Sequence, residues 1–267
     1  MLTSYHVHSR WSDGEGEIID FVRAAKELGL DEIGFSDHYV RAPDSRKLSW
    51  SMPPEKLGDY VEAVQVAAGL SGEHLIVRLG VEADFFPETT KALAEALAGQ
   101  PFDYVIGAVH FVDGFPIDAG VSYWEEITQA ERNEIMRGYW ARIRQMAESG
   151  LFDFAAHLDL TKKFGFRPTI DLTTEILGAL EAIARADMAV EANTAGWYAP
   201  CGEAYPEASI LRRCSELGIP SLITADAHHP ANLLRGYENA KRLILDAGCS
   251  RLVSYAGRRR FAHPIEW

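Results

Sequence analysis

Only three cysteines, Cys201, Cys214 and Cys249, stand in a chain of 267 residues. So small and odd a number does not build a disulfide framework, and no zinc-finger spacing links them. A reducing compartment is the simplest expectation, so we expect a cytoplasmic protein. No apolar run approaches the roughly 20 residues needed to span a bilayer. The first residues, Met1 to His8, lack the basic and then apolar pattern of a signal peptide. No membrane partner is expected. Positive charge is also scarce: 26 Lys and Arg face 39 Asp and Glu, a net charge of −13. Phosphate contacts dominate nucleic-acid affinity, so this balance argues against a nucleic-acid partner. The one dense basic cluster, Arg258-Arg259-Arg260, is short and reads as a solvated or helix-terminal run. No Gly-x-Gly-x-x-Gly or Walker sequence follows a strand-like run, which weakens a nucleotide-binding sheet. No low-complexity segment or fixed-period repeat is evident.

What is present suits a folded α/β protein. Hydrophobic residues make up 47% and charged residues 24%, enough apolar material for a sizeable core. Nearly continuous apolar runs at 3–8, 32–37, 75–82, 103–109, 152–157, 188–193 and 220–225 predict buried, parallel strands. Between and after them, 17–29, 54–70, 88–98, 124–149, 172–187, 205–217 and 231–247 have helical period. Ile18, Val22, Ala25 and Leu28 share one stripe, and Ile135, Tyr139, Ile143 and Met146 another. Gly29, Gly150, Gly218 and Gly248 follow four of these helices, where Gly tolerates positive φ. Seven β-α units in a row predict one domain over 1–267, either a barrel or a doubly wound sheet. Two long loops, 39–53 and 112–123, interrupt the pattern; the first carries a tryptophan.

The chemistry sits at the strand ends. The first strand ends in His6-Val7-His8, with Asp13 behind it. The later ends carry Asp37-His38, Glu82, His110, His157, then Glu191 and Asn193, then Asp226 and His228. Alternation in a strand puts His6 and His8 on one face, and the same spacing brings Asp226 and His228 within reach. In a β/α barrel the C-terminal strand ends build the active site. Imidazoles and carboxylates converging on one mouth are ligands for Zn, Mn or Fe, and so many imply more than one metal. His74 and His263 read as structural.

These residues stand in motifs that resemble the polymerase and histidinol phosphatase (PHP) superfamily of metal-dependent phosphoesterases. The motifs are HVHSRWSDG (6–14), SDH (36–38), GVEADF (80–85) and GAVH (107–110), followed by HLDLTKKFG (157–165), NTAG…YP (193–206) and ADAH (225–228). The last three are similar to the histidinol-phosphatase branch, and the resemblance covers essentially the whole chain. It implies a distorted (β/α)7 TIM-like barrel with three divalent transition metals. Carried over by motif, the first metal takes His6, His8, Glu82 and Asp226. The second takes Glu82, His110 and His157, with Glu82 bridging, and the third takes Asp13, His38 and His228. Asp13 stands where relatives on that branch often have a histidine.

The implied activity is hydrolysis of L-histidinol phosphate, a step of histidine biosynthesis, by a hydroxide held between metals. A poor alkoxide leaving group needs a proton, for which Asp226, His228 and the neighbouring Asp37 are candidates. Lys162, Lys163 and Arg167 are candidates for holding phosphate. Trp197 and Tyr198, with the 39–53 loop, are candidates for covering the imidazole; Cys201, Glu203 and Tyr205 follow closely on the same wall. Glu191 and Asn193 are candidate orienters of the histidines. Two other readings compete: a phosphoesterase for another small ester or short oligonucleotides, and a metal-binding regulatory barrel without catalysis. The sequence is silent on oligomeric state.

Overall fold

The computed structural model describes residues 1–265. In chain order the elements are β1 (Thr3–Ser4), α1 (Ile18–Glu27), β2 (Glu32–Phe35), β3 (His38–Tyr39), α2 (Leu57–Leu70), β4 (Ile76–Leu79) and β5 (Glu82–Asp84). Next come α3 (Thr90–Ala98), β6 (Ile106–Ala108), the short pair β7 (Phe111–Val112) and β8 (Phe115–Pro116), α4 (Val121–Glu125) and α5 (Gln129–Glu148). The chain continues with β9 (Phe154–Ala155), α6 (Thr173–Arg185), β10 (Ala189–Asn193), α7 (Ala208–Glu216), β11 (Ser221–Thr224), α8 (Tyr237–Asp246) and the hairpin β12 (Arg251–Ala256) and β13 (Arg259–Pro264).

The helices form where the apolar stripes lie. In α1, Ile18, Phe21, Val22 and Ala25 are buried, and Glu17 and Asp20 close a capping box at its start. The single helix expected over 124–149 is two. Thr128 accepts from the Glu131 N–H and starts α5 afresh, so α4 stands apart. Along α5 the buried positions are Met136, Tyr139, Trp140, Ile143 and Met146, and Ile135 is only partly covered.

The strands form a curled sheet that does not fully close, a distorted TIM-like barrel. One part orders β1-β2-β4; the other orders β13-β12-β11-β10-β9-β6-β5-β3. Apart from the β12–β13 and β7–β8 hairpins, the pairs are parallel. The chain breaks β2 from β3 over 36–37, at the end of the second expected strand, and β4 from β5 over 80–81, within the third. Both breaks lie beside Tyr104, whose hydroxyl donates to the Tyr5 carbonyl at 2.7 Å. A Cβ on Gly80 would lie 2.2 Å from the Tyr104 ring, so only glycine lets that ring fill the barrel. Tyr5, Tyr104, Ile106, Phe154, Leu222 and Tyr255 belong to a core cluster drawn from strands and their flanks, separate from the sheet–helix core.

Closure happens at one end only. His8 N–H donates to the Ala227 carbonyl at 3.0 Å, and Ala227 N–H donates to the His6 carbonyl at 2.9 Å. At the other end of β11, Ser221 pairs with Leu252 instead, so the hairpin wedges in. The hairpin was not expected, and it places the run Arg258-Arg259-Arg260 at a strand turn rather than at a helix end. Arg258 turns the hairpin at φ 63° and its Nη2 donates to the Leu151 carbonyl at 2.7 Å. Arg260 holds Asp187 at 2.7 Å. These two guanidiniums tie the hairpin to the barrel from the surface, where Arg258 and Arg259 are exposed. Among the described residues no helix is long and apolar enough to cross a membrane.

Candidate metal centre

The site lies at the end where the barrel closes, on residues just beyond each strand. His38 opens β3 and pairs in register with Glu82, which opens β5. His110 and His157 each stand two residues past β6 and β9. Asp226 and His228 follow β11. Asp13 comes from the 9–16 loop, which folds back so that Glu15 N–H donates to the His228 carbonyl at 2.7 Å. Gly14 is required there, because a Cβ would lie 2.0 Å from the His8 carbonyl oxygen.

Glu82 is the centre of the arrangement. It is fully buried. Its Oε2 lies 2.7 Å from His38 Nδ1, 3.3 Å from His6 Nε2 and 3.6 Å from His8 Nε2. Its Oε1 lies 3.0 Å from His157 Nε2 and 3.9 Å from His110 Nε2. Asp226 faces His8 Nε2 at 3.3 Å and His6 Nε2 at 3.6 Å, from a left-handed backbone at φ 51° that is costly for a non-glycine residue. Asp13 Oδ1 lies 3.3 Å from His228 Nε2 and 3.7 Å from His38 Nε2.

Four groups of side chains gather donor atoms within 4.8 Å of one another: His8-Asp13-His38-His228, His6-Glu82-His157, His6-His8-Asp226 and His38-Glu82-His110. Together they contain the nine residues expected as ligands. The grouping differs from the motif-based partition. His8 also joins Asp13, His38 and His228, and Glu82 meets His157 and His110 in separate groups.

Several of these atoms lack a partner. His6 Nε2, both nitrogens of His8, His38 Nδ1, His157 Nδ1 and Glu82 Oε2 are buried without a hydrogen bond. Buried polar atoms left bare are costly, and so many in one place fit a site built for cations. Nitrogen and carboxylate donors without thiolate suit Zn, Mn or Fe. The electrostatics keep Glu82, Asp226 and His8 in binding form, whereas in the metal-free protein neighbouring carboxylates favour the protonated rings of His6, His110 and His228 against burial. Burial opposes ionisation of Glu82, yet His38 and His6 hold it well below the usual carboxylate range. Asp226 is held down in the same way, against burial, chiefly by His6 and His8. Burial, with His38 and His228 beside it, brings His8 down to about 3, so its imidazole is neutral.

Behind the donors stands a layer of orienting groups. Glu191 Oε2 lies 2.9 Å from His6 Nδ1 and accepts from Thr224 Oγ1 at 2.9 Å. Its Oε1 accepts from the His157 N–H at 2.6 Å and from Asn193 Nδ2 at 2.8 Å. Glu191 thereby fixes the His6 ring with Nε2 toward Glu82 and Asp226. Asp84 does the same for His110, with 2.6 Å from Oδ1 to Nδ1. The sequence reading missed Asp84, although it stands two residues past Glu82 on the same strand.

The comparisons with known proteins agree with this geometry. Residues 4–195 match the PHP domain. Over 97% of this chain and 98% of the relative, 35% of residues are identical to the "Probable histidinol-phosphatase" of Deinococcus radiodurans. The chain belongs to the PHP domain family. A second relative, the histidinol-phosphatase of Lactococcus lactis, is 23% identical over 96% of this chain and 94% of its own. The fold is shared with the crystal structure of the Lactococcus lactis histidinol phosphate phosphatase, which holds zinc, L-histidinol and phosphate. That pair has a TM-score of 0.83 and 21% identity, covering 97% of this chain and 98% of the other.

In this PHP domain the donors open onto a cleft of about 400 Å³ lined by Trp50, Phe111, Asp118, Lys163, Tyr205 and His228, among others. Trp50, from the 39–53 loop, stands edge-on to His38 at 4.9 Å and to His110 at 5.4 Å. Of the three basic candidates only Lys163 reaches the cleft. Lys162 is buried, with Nζ 2.8 Å from Asp159, 2.7 Å from the Ala204 carbonyl and 3.3 Å from Glu203. Arg167 is turned outward to Glu203 at 2.7 Å and Glu207 at 3.3 Å. The aromatic expectation at 197–198 is also corrected. Trp197 lines a separate groove with Glu203 and Leu243, and Tyr198 is exposed beneath Arg235. Of Cys201, Glu203 and Tyr205, only Tyr205 lines the cleft.

Asp37 does not face the cleft either. Its carboxylate accepts from Ser9 N and Oγ, both at 2.8 Å, and from Ser12 N at 3.1 Å and Oγ at 2.7 Å. Four donors from Ser9 and Ser12 saturate it, so it anchors the Asp13 loop away from the cleft. Asp118 gave no signal because it stands inside the 112–123 loop, and Phe111, next to the strand-end His110, gave none because the strand-end reading counts only His, Asp, Glu and Asn.

Proposed function

We propose that this protein is a histidinol-phosphate phosphatase, a metal-dependent phosphomonoester hydrolase acting through one PHP domain. The observation that carries the reading is the convergence of His6, His8, Asp13, His38, Glu82, His110, His157, Asp226 and His228 on one centre, with all but His6, His8 and Glu82 lining the cleft. It is supported by the 35% identical relative, whose name gives the same activity.

The nine residues would hold divalent metals, which supply an ionised water near neutral pH and neutralise charge on phosphoryl oxygens. The protein does the rest. Glu82, touched by five imidazoles, sets the spacing of the donors. Glu191 and Asp84 hold the His6 and His110 rings in the tautomer that turns Nε2 inward. Lys163 Nζ gives the cleft a positive charge for a phosphate oxygen. The proton for the leaving alkoxide is assigned to the pair Asp226 and His228, with Oδ1 and Nδ1 3.5 Å apart at the cleft surface. Trp50 and Phe111 form an apolar wall suited to a flat ring.

The test is phosphate release from L-histidinol phosphate by metal-replete protein, with a sugar phosphate and a short oligonucleotide beside it. The reading expects high kcat/KM for L-histidinol phosphate alone. Equal or better turnover of either other substrate would make this a phosphoesterase of different specificity.

A further inference from the structure

We propose that Asp118 and Lys163 form an exchangeable ion pair that favours a substrate bearing both a phosphate and a cationic group over either charge alone. This rests on the phosphatase reading and names the part of the substrate that the cleft selects. Lys163 Nζ lies 3.2 Å from Asp118 Oδ2, and the two side chains are 32% and 29% exposed. Both line the cleft, and neither belongs to the four donor groups. Among the described residues Lys163 is the only hydrogen-bond partner of the Asp118 carboxylate, so Oδ1 is open to a second donor.

A partly exposed pair of this kind is weak and exchanges readily. The Lys163 ammonium 3.2 Å away favours the charged form of Asp118, so a carboxylate faces the cleft. Inorganic phosphate must draw Lys163 away and leave that carboxylate bare beside a second negative charge. A lone cation must leave Lys163 bare. A molecule with an ammonium or imidazolium at one end and a phosphate at the other takes one partner each, and no charge is left unpaired. Lys162 cannot serve in this exchange, because its ammonium is locked among Asp159, Ala204 and Glu203.

The test uses metal-replete protein and three probes: L-histidinol phosphate, 4-nitrophenyl phosphate and inorganic phosphate. In Asp118→Asn, Lys163 is released, so inhibition by inorganic phosphate should tighten by about threefold or more. In the same variant the ratio of kcat/KM for L-histidinol phosphate to that for 4-nitrophenyl phosphate should fall by about tenfold. The two effects have opposite signs. A purely structural role for Asp118 would weaken phosphate and substrate together, and that result overturns the proposal. A second measurement needs no variant: L-histidinol should tighten phosphate binding to the unmodified protein, and independent or mutually exclusive binding overturns the proposal as well. If the unmodified protein cleaves the aryl ester but ignores L-histidinol phosphate, the phosphatase reading itself has failed, and this inference with it. If it cleaves L-histidinol phosphate while the variant shifts both probes the same way, only the ion-pair proposal has failed.

Discussion

Replacing Glu82 by Gln keeps the side chain's shape and removes one buried negative charge. Five imidazole nitrogens lie between 2.7 and 3.9 Å from its oxygens, so the loss is felt by most of the centre at once. Two unit charges about 4 Å apart interact by about 4 kcal/mol at an effective dielectric of about 20. A divalent ion doubles that figure. If only half is realised, the loss is still about 4 kcal/mol, or roughly a thousandfold in affinity. Because Glu82 belongs to two donor groups, His6-Glu82-His157 and His38-Glu82-His110, the variant should lose more than one equivalent of metal per chain. Metal per chain would be measured by mass spectrometry after dialysis against metal-free buffer, with circular dichroism to confirm the fold. A folded Gln variant that keeps the full metal complement of the unmodified protein would refute the bridging position of Glu82.

Three further outcomes are expected. Asp84→Asn removes the carboxylate that orients His110 Nδ1 at 2.6 Å and should cost about 10–100-fold in metal affinity or activity, read by metal titration. Lys162→Met breaks a buried pair with Asp159 and should destabilise the fold by about 3–5 kcal/mol in urea unfolding, with a loss below about 1 kcal/mol showing that the pair is not structural. The third concerns chelator-stripped protein. Burial opposes charge on His110 and His228, but Asp84 raises the first to about 10, and Asp13 and Asp226 raise the second to about 9. Both values exceed the ordinary 6.5, so their stabilisation is complete below pH 6.5 and is lost as pH rises through about 9 to 10. The urea midpoint of stripped protein should fall over that window, while metal affinity rises as protons cease to compete. A midpoint that rises from pH 7 to pH 10 would contradict this assignment.

The candidate donors other than Asp13 were legible because they stand near strand ends, which are marked by the switch from apolar runs to His, Asp or Glu; Asp13, in the 9–16 loop, was legible only as part of the first motif. The residues behind and around the donors were less legible. Asp37 sits next to His38 in sequence, yet four donors from Ser9 and Ser12 hold it away from the cleft. Lys162 and Lys163 are indistinguishable by type and position. One helical turn sends the first into a buried ion pair and the second into the cleft. Trp50 stands 12 residues after His38 in chain numbering, but the hydrogen bond from Met52 N–H to the His38 carbonyl at 2.9 Å brings its loop back over the centre.

By itself the sequence determined most of the strand and helix alternation and offered the nine candidate donors, because hydrophobic period and strand-end chemistry are local properties. Only the tertiary structure decided which donors share a cation position, which lysine faces the cleft, and that Asp118 stands opposite it. Those are distances between segments far apart in the chain, set by barrel curvature, the breaks around Tyr104 and the one-sided closure of the first strand on the seventh.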